Sequence, residues 1–146
     1  MNLLRAVGEI GRLAATRITA LSSFYDTQPV GPVNQENFLN AVLKLESSFS
    51  PRGLLAELQR IETAVFRRVR TVHWGPRPID LDILFYGDLL VAEEDLTIPH
   101  PRLHERGFVL VPLVEIATDF IHPALQKSVA ELLATLKTTE RVEKYI

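Results

Sequence analysis

Leu3, Leu4, Val7, Ile10, Leu13 and Ala14 recur at steps of three and four, which predicts an amphipathic helix over about the first 15 residues. β-Branched and aromatic residues from Arg17 to Asp26 predict a strand, and Gln28-Pro29-Val30-Gly31-Pro32 a loop after it. Between Asn37 and Glu46 the pattern alternates, with Leu39, Ala41, Leu43 and Leu45 on one face and Phe38, Asn40 and Val42 on the other. Ser50-Pro51 reads as an N-cap followed by a first-turn proline. The stripe Leu54, Leu55, Leu58, Ile61 and Val65 carries that second helix to near Phe66. The strongest strand signal is Ile79 to Tyr86, ended by Gly87-Asp88. A proline-punctuated loop, Ile98 to Arg102, precedes a mostly apolar segment from Phe108 to Ile116. A last helix is predicted at Ser128, where Glu131 completes a capping box.

This order of helix, strand, strand, helix, strand and mixed tail predicts an α+β fold. It amounts to a ferredoxin-like β-α-β-β-α-β unit whose first strand is missing from the chain, with helices on an antiparallel or mixed sheet. At 146 residues a single domain spanning 1–146 is expected. With 47% hydrophobic and 23% charged residues, neither disorder nor a fibrous repeat fits. The formal charge of −2 supplies no global attraction to nucleic acid or anionic membrane. The absence of cysteine excludes disulfides, thiolate metal sites and a Cys nucleophile. With no secretory pattern at the start and no apolar run of membrane-spanning length, a cytoplasmic protein is expected.

Within this ordinary composition a few residues stand out. Asp80 and Asp82 share one face of an otherwise apolar strand, which places their carboxylates side by side, roughly 6–7 Å apart at Cβ. Such a pair needs a cation or Arg between its members, and hard oxygen donors without nearby His or Cys suit Mg²⁺; two solvated surface aspartates are the plain alternative. From Thr63 to Ile79 there is no acidic residue, yet Arg67, Arg68, Arg70 and Arg77 occur there with His73 and Trp74. Arg outnumbers Lys 12 to 4, consistent with bidentate phosphate contacts, although a solvated turn or a base-stacking patch around Trp74 has the same composition. His100 is stiffened between two prolines. Phe38 and Asn40 on one face could stack on a planar heterocycle and read its edge, or simply pack. No Walker or Rossmann glycine motif is present, and Ser22 and Ser23 have no triad context.

The string Trp74-Gly75-Pro76-Arg77-Pro78-Ile79-Asp80-Leu81-Asp82-Ile83-Leu84 resembles the 6-hydroxymethyl-7,8-dihydropterin pyrophosphokinases of folate synthesis. Collinear support comes from Ser23 to Thr27, Phe38 to Val42, Ile61-Glu62, Ile98 to Arg102 and Arg106 to Leu110. The resemblance implies transfer of the β,γ-pyrophosphoryl group of ATP to the hydroxymethyl oxygen of the pterin, with release of AMP. It also implies two Mg²⁺ ions on Asp80 and Asp82, with Arg77 and either Arg67 or Arg68 acting on the reacting phosphates. Arg70, His100 and Arg106 would hold ATP phosphates, and Glu62, Ile83 and Ile98 would lie near the nucleoside. Thr27, Val30 and Asn40 would read the pterin edge, Phe38 and Phe108 would sandwich its ring, and Trp74 would close over it. The implied partners are the small molecules ATP and the pterin alcohol, with neither nucleic acid nor membrane, acting on a monomer.

Two departures qualify the match. Family members carry Gly-Arg-x-Arg before the tryptophan, whereas this chain reads Arg67-Arg68-Val69-Arg70, which leaves open whether Arg67 or Arg68 meets the phosphate. Family members also begin with a strand and a Gly-Ser-Asn-Leu-Gly turn, and this chain starts within the helix that follows, so the functional protein is expected to begin upstream. The rival readings are a catalytically impaired pterin- or nucleotide-binding remnant and, less favoured because of the negative charge, a ferredoxin-like RNA-binding module.

Overall fold

The structure is a computed structural model that describes residues 2–28, 38–65, 79–137 and 141–145. In chain order the elements are α1 (Asn2–Gly11), β1 (Thr16–Leu21), β2 (Tyr25–Gln28), β3 (Phe38–Asn40), β4 (Leu43–Ser47) and α2 (Pro51–Arg60), whose end continues as a π-helical turn, Ile61–Val65. After these come β5 (Val91–Glu93), β6 (Leu96–Ile98), a short 3-10 turn (Leu103–Glu105), α3 (Gly107–Ala117), α4 (Val129–Thr135) and β7 (Arg141–Lys144). The fold class is α+β, as the residue pattern predicts.

Three ladders form among the described residues: β1 with β4, the order β3-β2-β7, and β5 with β6. β2 is antiparallel to both neighbours, with Tyr25 opposite Asn40 and Lys144, and Thr27 opposite Phe38 and Val142. The two long strands expected at Arg17–Asp26 and Asn37–Glu46 are each broken in two. At the break, buried Ser22 sends its backbone N–H to the Val42 carbonyl, while its hydroxyl accepts from the Val42 N–H and donates to the Ser23 carbonyl. A side-chain oxygen thereby takes over ladder duty for one residue, which local patterning cannot reveal.

A second correction concerns Ile79 to Tyr86. Burial alternates from Ile79 to Ile83 as a strand would, yet this segment joins no ladder among the described residues. Alternation prepares a strand, but only a partner's N–H and C=O groups make one. Here the backbone finds other partners: the Leu81 N–H reaches the Glu62 carboxylate at 2.7 Å, and the Leu84 carbonyl accepts from the His100 N–H at 2.9 Å.

By density of contacts the chain divides into two compact units, Met1–Ile18 with Leu45–Ile83 and Thr19–Lys44 with Leu84–Ile146. In the first, α1 packs on the π turn, and Ala6, Ile10, Leu13, Leu54, Leu58, Ile61 and Ile79 are buried. Ser50 caps α2 as its sequence predicts, its hydroxyl accepting from the Gly53 N–H at 3.0 Å. Such a cap is worth about 1 kcal/mol. In the second unit Leu103, Leu110, Leu113, Val129 and Leu132 form the core, with Val42, Leu84, Phe85 and Phe120 packed around it. α4 begins with the expected capping box: the Ser128 hydroxyl accepts from the Glu131 N–H, and the Glu131 carboxylate accepts from the Ser128 N–H. The apolar run from Phe108 to Ile116 proves to be helical and lies within α3, with Pro112 inside it. Among the described residues no helix is long and apolar enough to cross a membrane.

Candidate active site

In the first unit the candidate chemistry centres on Asp80 and Asp82. Both side chains are exposed, while Leu81 between them is half-buried. The segment is held at Leu81 by Glu62, which projects from the π turn and is itself only 6% exposed. A buried carboxylate is tolerable when it accepts from a backbone N–H, and that bond also fixes which way the flanking residues face. Glu62 therefore does something the expectation of a nucleoside contact did not include: it orients the segment that carries the carboxylate pair. Ile83 closes this segment and is half-buried.

The second unit holds a separate cluster on β2, β3 and α3. Thr27 is fully buried, and its hydroxyl donates to Asn40 Oδ1 at 3.0 Å. The amide nitrogen of Asn40 donates in turn to the Phe108 carbonyl in the first turn of α3. These two bonds leave no ambiguity about which way the Asn40 amide faces. One further N–H and one further lone pair on that amide can still read a ligand edge. The Phe38 and Phe108 rings meet with centroids 5.3 Å apart and planes at 85°. Two faces sandwiching a flat heterocycle need about 7 Å between them, two contacts of about 3.5 Å each. Phe38 and Phe108 are thus in contact but closed edge to face, not open as a sandwich, so a planar ring enters only after one phenyl turns. Phe38, 39% exposed, is on the solvent side of the pair. The Arg106 guanidinium lies 5.5 Å from the Phe108 ring centroid, a cation–π contact.

His100 is half-buried and its Nδ1 accepts from the Arg102 N–H at 3.2 Å. That assigns the neutral-ring proton to Nε2, which makes this nitrogen a donor suited to a phosphate oxygen. Ile98 is buried, 2% exposed, at the end of β6. Val30, Arg67, Arg68, Arg70, His73, Trp74 and Arg77 lie outside the described residues.

One group of polar residues was not singled out from the sequence. Glu115, the only charged residue between Phe108 and Ile116, accepts from the Tyr25 hydroxyl and the Ser23 N–H, each at 2.5 Å. The Glu115 hydrogen bond pushes the Tyr25 phenol up to about 12, with burial and the carboxylate's charge acting the same way. Burial opposes ionisation of Glu115, but the bonds from Tyr25 and Ser23 and the charge of Lys144 outweigh it and hold its carboxyl below the usual range. A lone acid in an apolar helix was the available signal, and its partners only became identifiable once β2 lay beside α3. Tyr25 and Thr27 alternate onto the same face of β2, so the strand grips α3 near its end through Glu115 and near its start through Asn40.

Comparison with known proteins agrees with the sequence resemblance. The family model for 7,8-dihydro-6-hydroxymethylpterin-pyrophosphokinase matches residues 1–118. A 2-amino-4-hydroxy-6-hydroxymethyldihydropteridine pyrophosphokinase of Haemophilus influenzae is 49% identical over 125 residues, covering 86% of this chain and 78% of that protein. A protein of the same name from Methylorubrum extorquens is 44% identical over 141 residues, covering 93% and 87%. Another from Synechocystis is 41% identical over 138 residues, covering 94% and 70%. With a match of this extent over most of its length, the chain belongs to the 7,8-dihydro-6-hydroxymethylpterin-pyrophosphokinase family of enzymes.

Proposed function

We propose that this chain, as one domain over 1–146, transfers the β,γ-pyrophosphoryl group of ATP to the hydroxymethyl oxygen of 6-hydroxymethyl-7,8-dihydropterin. The new bond joins that oxygen to the β-phosphorus, the hydroxyl proton is lost to solvent, the bond from the β-phosphorus to the α,β-bridging oxygen breaks, and AMP departs with that oxygen. Support comes from the family membership, and the observation that carries the reading is the Glu62 to Leu81 bond, which holds two exposed carboxylates on one segment. Asp80 and Asp82 fit Mg²⁺: they are hard oxygen donors at the surface, and Mg²⁺ commonly takes one or two carboxylates plus phosphate oxygens and water. Bound there, Mg²⁺ would neutralise the triphosphate charge that otherwise repels the attacking oxygen.

The chain's own residues bind and orient. Asp80 and Asp82 hold the metal-bearing end of ATP, while Arg67 or Arg68, with Arg70, Arg77 and Arg106, offers guanidinium forks to its phosphates. His100 donates through Nε2 to another phosphate oxygen. Glu62 fixes the carboxylate segment, and the main chain at Ile83 and Ile98 borders the nucleoside. On the acceptor side Phe38 and Phe108 take the faces of the pterin, Thr27, Val30 and Asn40 read its edge, and Trp74 covers it. No covalent intermediate is needed, because alignment and charge neutralisation suffice for phosphoryl chemistry of this kind. The enzyme acts as a cytoplasmic monomer on small molecules.

The test is to mix the chain with Mg-ATP and the pterin alcohol and measure AMP. Asp82→Ala should abolish AMP formation while leaving the unfolding free energy from urea titration within about 0.5 kcal/mol of the parent, as for a surface substitution. Turnover that survives in Asp82→Ala would overturn the metal assignment. Tight Mg-ATP binding by the parent without any AMP would indicate a binding remnant instead.

A further inference from the structure

Every residue inside a helix normally donates its N–H to the carbonyl four positions earlier. In α3 residue 112 is proline, which has no N–H, and the carbonyl four positions earlier belongs to Phe108. The proline ring also crowds that carbonyl. This same oxygen accepts the Asn40 amide from the neighbouring strand. Pro112 is fully buried, so its ring is held in place within the packed face of α3. A proline inside a helix is destabilising relative to alanine, and a position that holds one invites an explanation in what the missing donor releases.

We propose that Pro112 is a positioning residue for the pterin side of the site: by withholding the helical N–H it reserves the Phe108 carbonyl for Asn40. The Asn40 amide is then fixed at both ends, its nitrogen on Phe108 and its oxygen accepting from Thr27. Its remaining N–H and lone pair face a ligand in one orientation instead of two. With a donor restored at 112, the Phe108 carbonyl swings back into the helical ladder and Asn40 loses its anchor. The ligand assignment rests on the proposed function, but the hydrogen-bond part does not.

Two variants restore the N–H: Pro112→Ala, and Pro112→Val, which is closer in volume and separates the new donor from lost packing. The first readout is hydrogen exchange of the Asn40 side-chain amide by NMR in the unliganded protein. Exchange should be at least about 10-fold faster in both variants, the factor that corresponds to about 1.4 kcal/mol. Unchanged exchange in both overturns the proposal. The second readout is the KM for the pterin alcohol, expected to rise about 5- to 10-fold with kcat and the KM for ATP little changed. In an Asn40→Ala background the same substitutions should have no further effect on that KM, whereas a general packing defect would persist there and refute a role through Asn40. If exchange accelerates while Asn40→Ala leaves the pterin KM unaltered, Pro112 does anchor Asn40 and it is the pterin assignment that falls.

Discussion

Removing the Glu62 carboxylate probes the contact on which the carboxylate segment depends. Glu62 is 6% exposed and accepts from the Leu81 N–H at 2.7 Å. A hydrogen bond to a charged partner contributes about 1.5–3 kcal/mol, and a buried N–H left without one costs a comparable amount. Glu62→Ala should therefore destabilise the protein by about 2–3 kcal/mol. At roughly 4 °C per kcal/mol for a domain of this size, that lowers Tm by roughly 8–12 °C. Glu62→Gln keeps an oxygen acceptor in the same place and retains a neutral bond worth about 1 kcal/mol, so its loss should be about half as large. Because Asp80 and Asp82 flank Leu81, both variants should also lose turnover. A misplacement of about 1 Å can cost on the order of 100-fold, so Glu62→Ala should fall by that order and Glu62→Gln by less. The assays are thermal unfolding and AMP formation with Mg-ATP. A Glu62→Ala protein whose Tm stays within about 2 °C of the parent would refute the claim that this bond organises the segment.

Two further predictions concern stability in the second unit. His122 is buried, 4% exposed, and its Nδ1 accepts from the Ala124 and Leu125 N–H groups at 3.1 and 3.0 Å. Burial, aided by the charge of His104 and partly opposed by a backbone hydrogen bond, holds its imidazole below the usual value of 6.5. The unfolded chain then takes up the proton first, so this stabilisation is complete above about pH 7 and is lost as pH falls through about 6.5 toward the depressed folded value. Urea midpoints at pH 8 and pH 5 should differ more in the parent than in His122→Asn, which keeps an acceptor without the titration; equal differences would disprove it. Ser128→Ala removes the capping box of α4 and should cost about 1 kcal/mol, read as a lower urea midpoint at unchanged slope.

Features set by neighbours a few residues apart were legible in the sequence. The Ser50 cap with its following proline, the Ser128 and Glu131 box and the Leu54, Leu58 and Ile61 positions of the second helical stripe stand where their spacing places them, although α2 itself ends at Arg60 and Ile61 lies in the π turn; the expected end near Phe66 lies outside the described residues. The α+β class followed from the same periodicities, and the Trp74 to Leu84 string was sufficient to point to the family. Of the candidate cluster on β2, β3 and α3, Thr27, Phe38, Asn40 and Phe108 were identified from the chain, and the structure joins Thr27 to Asn40 and Asn40 to Phe108.

What the tertiary structure decided was every pairing between distant residues. The Ile79 to Tyr86 segment alternates like a strand, yet its amide at Leu81 goes to a glutamate 19 residues earlier. Glu115 was not singled out from the sequence, and the hydroxyl that it accepts from belongs to a tyrosine 90 residues away. Pro112 lies inside the apolar run from Phe108 to Ile116, and only the tertiary structure shows that the Asn40 amide reaches the carbonyl four residues before it. Capping and amphipathic periodicity act within a turn or two, where the chain itself sets the distance. A backbone N–H or a buried carboxylate must find its partner wherever folding brings one near, and one chain's residue order does not contain that distance.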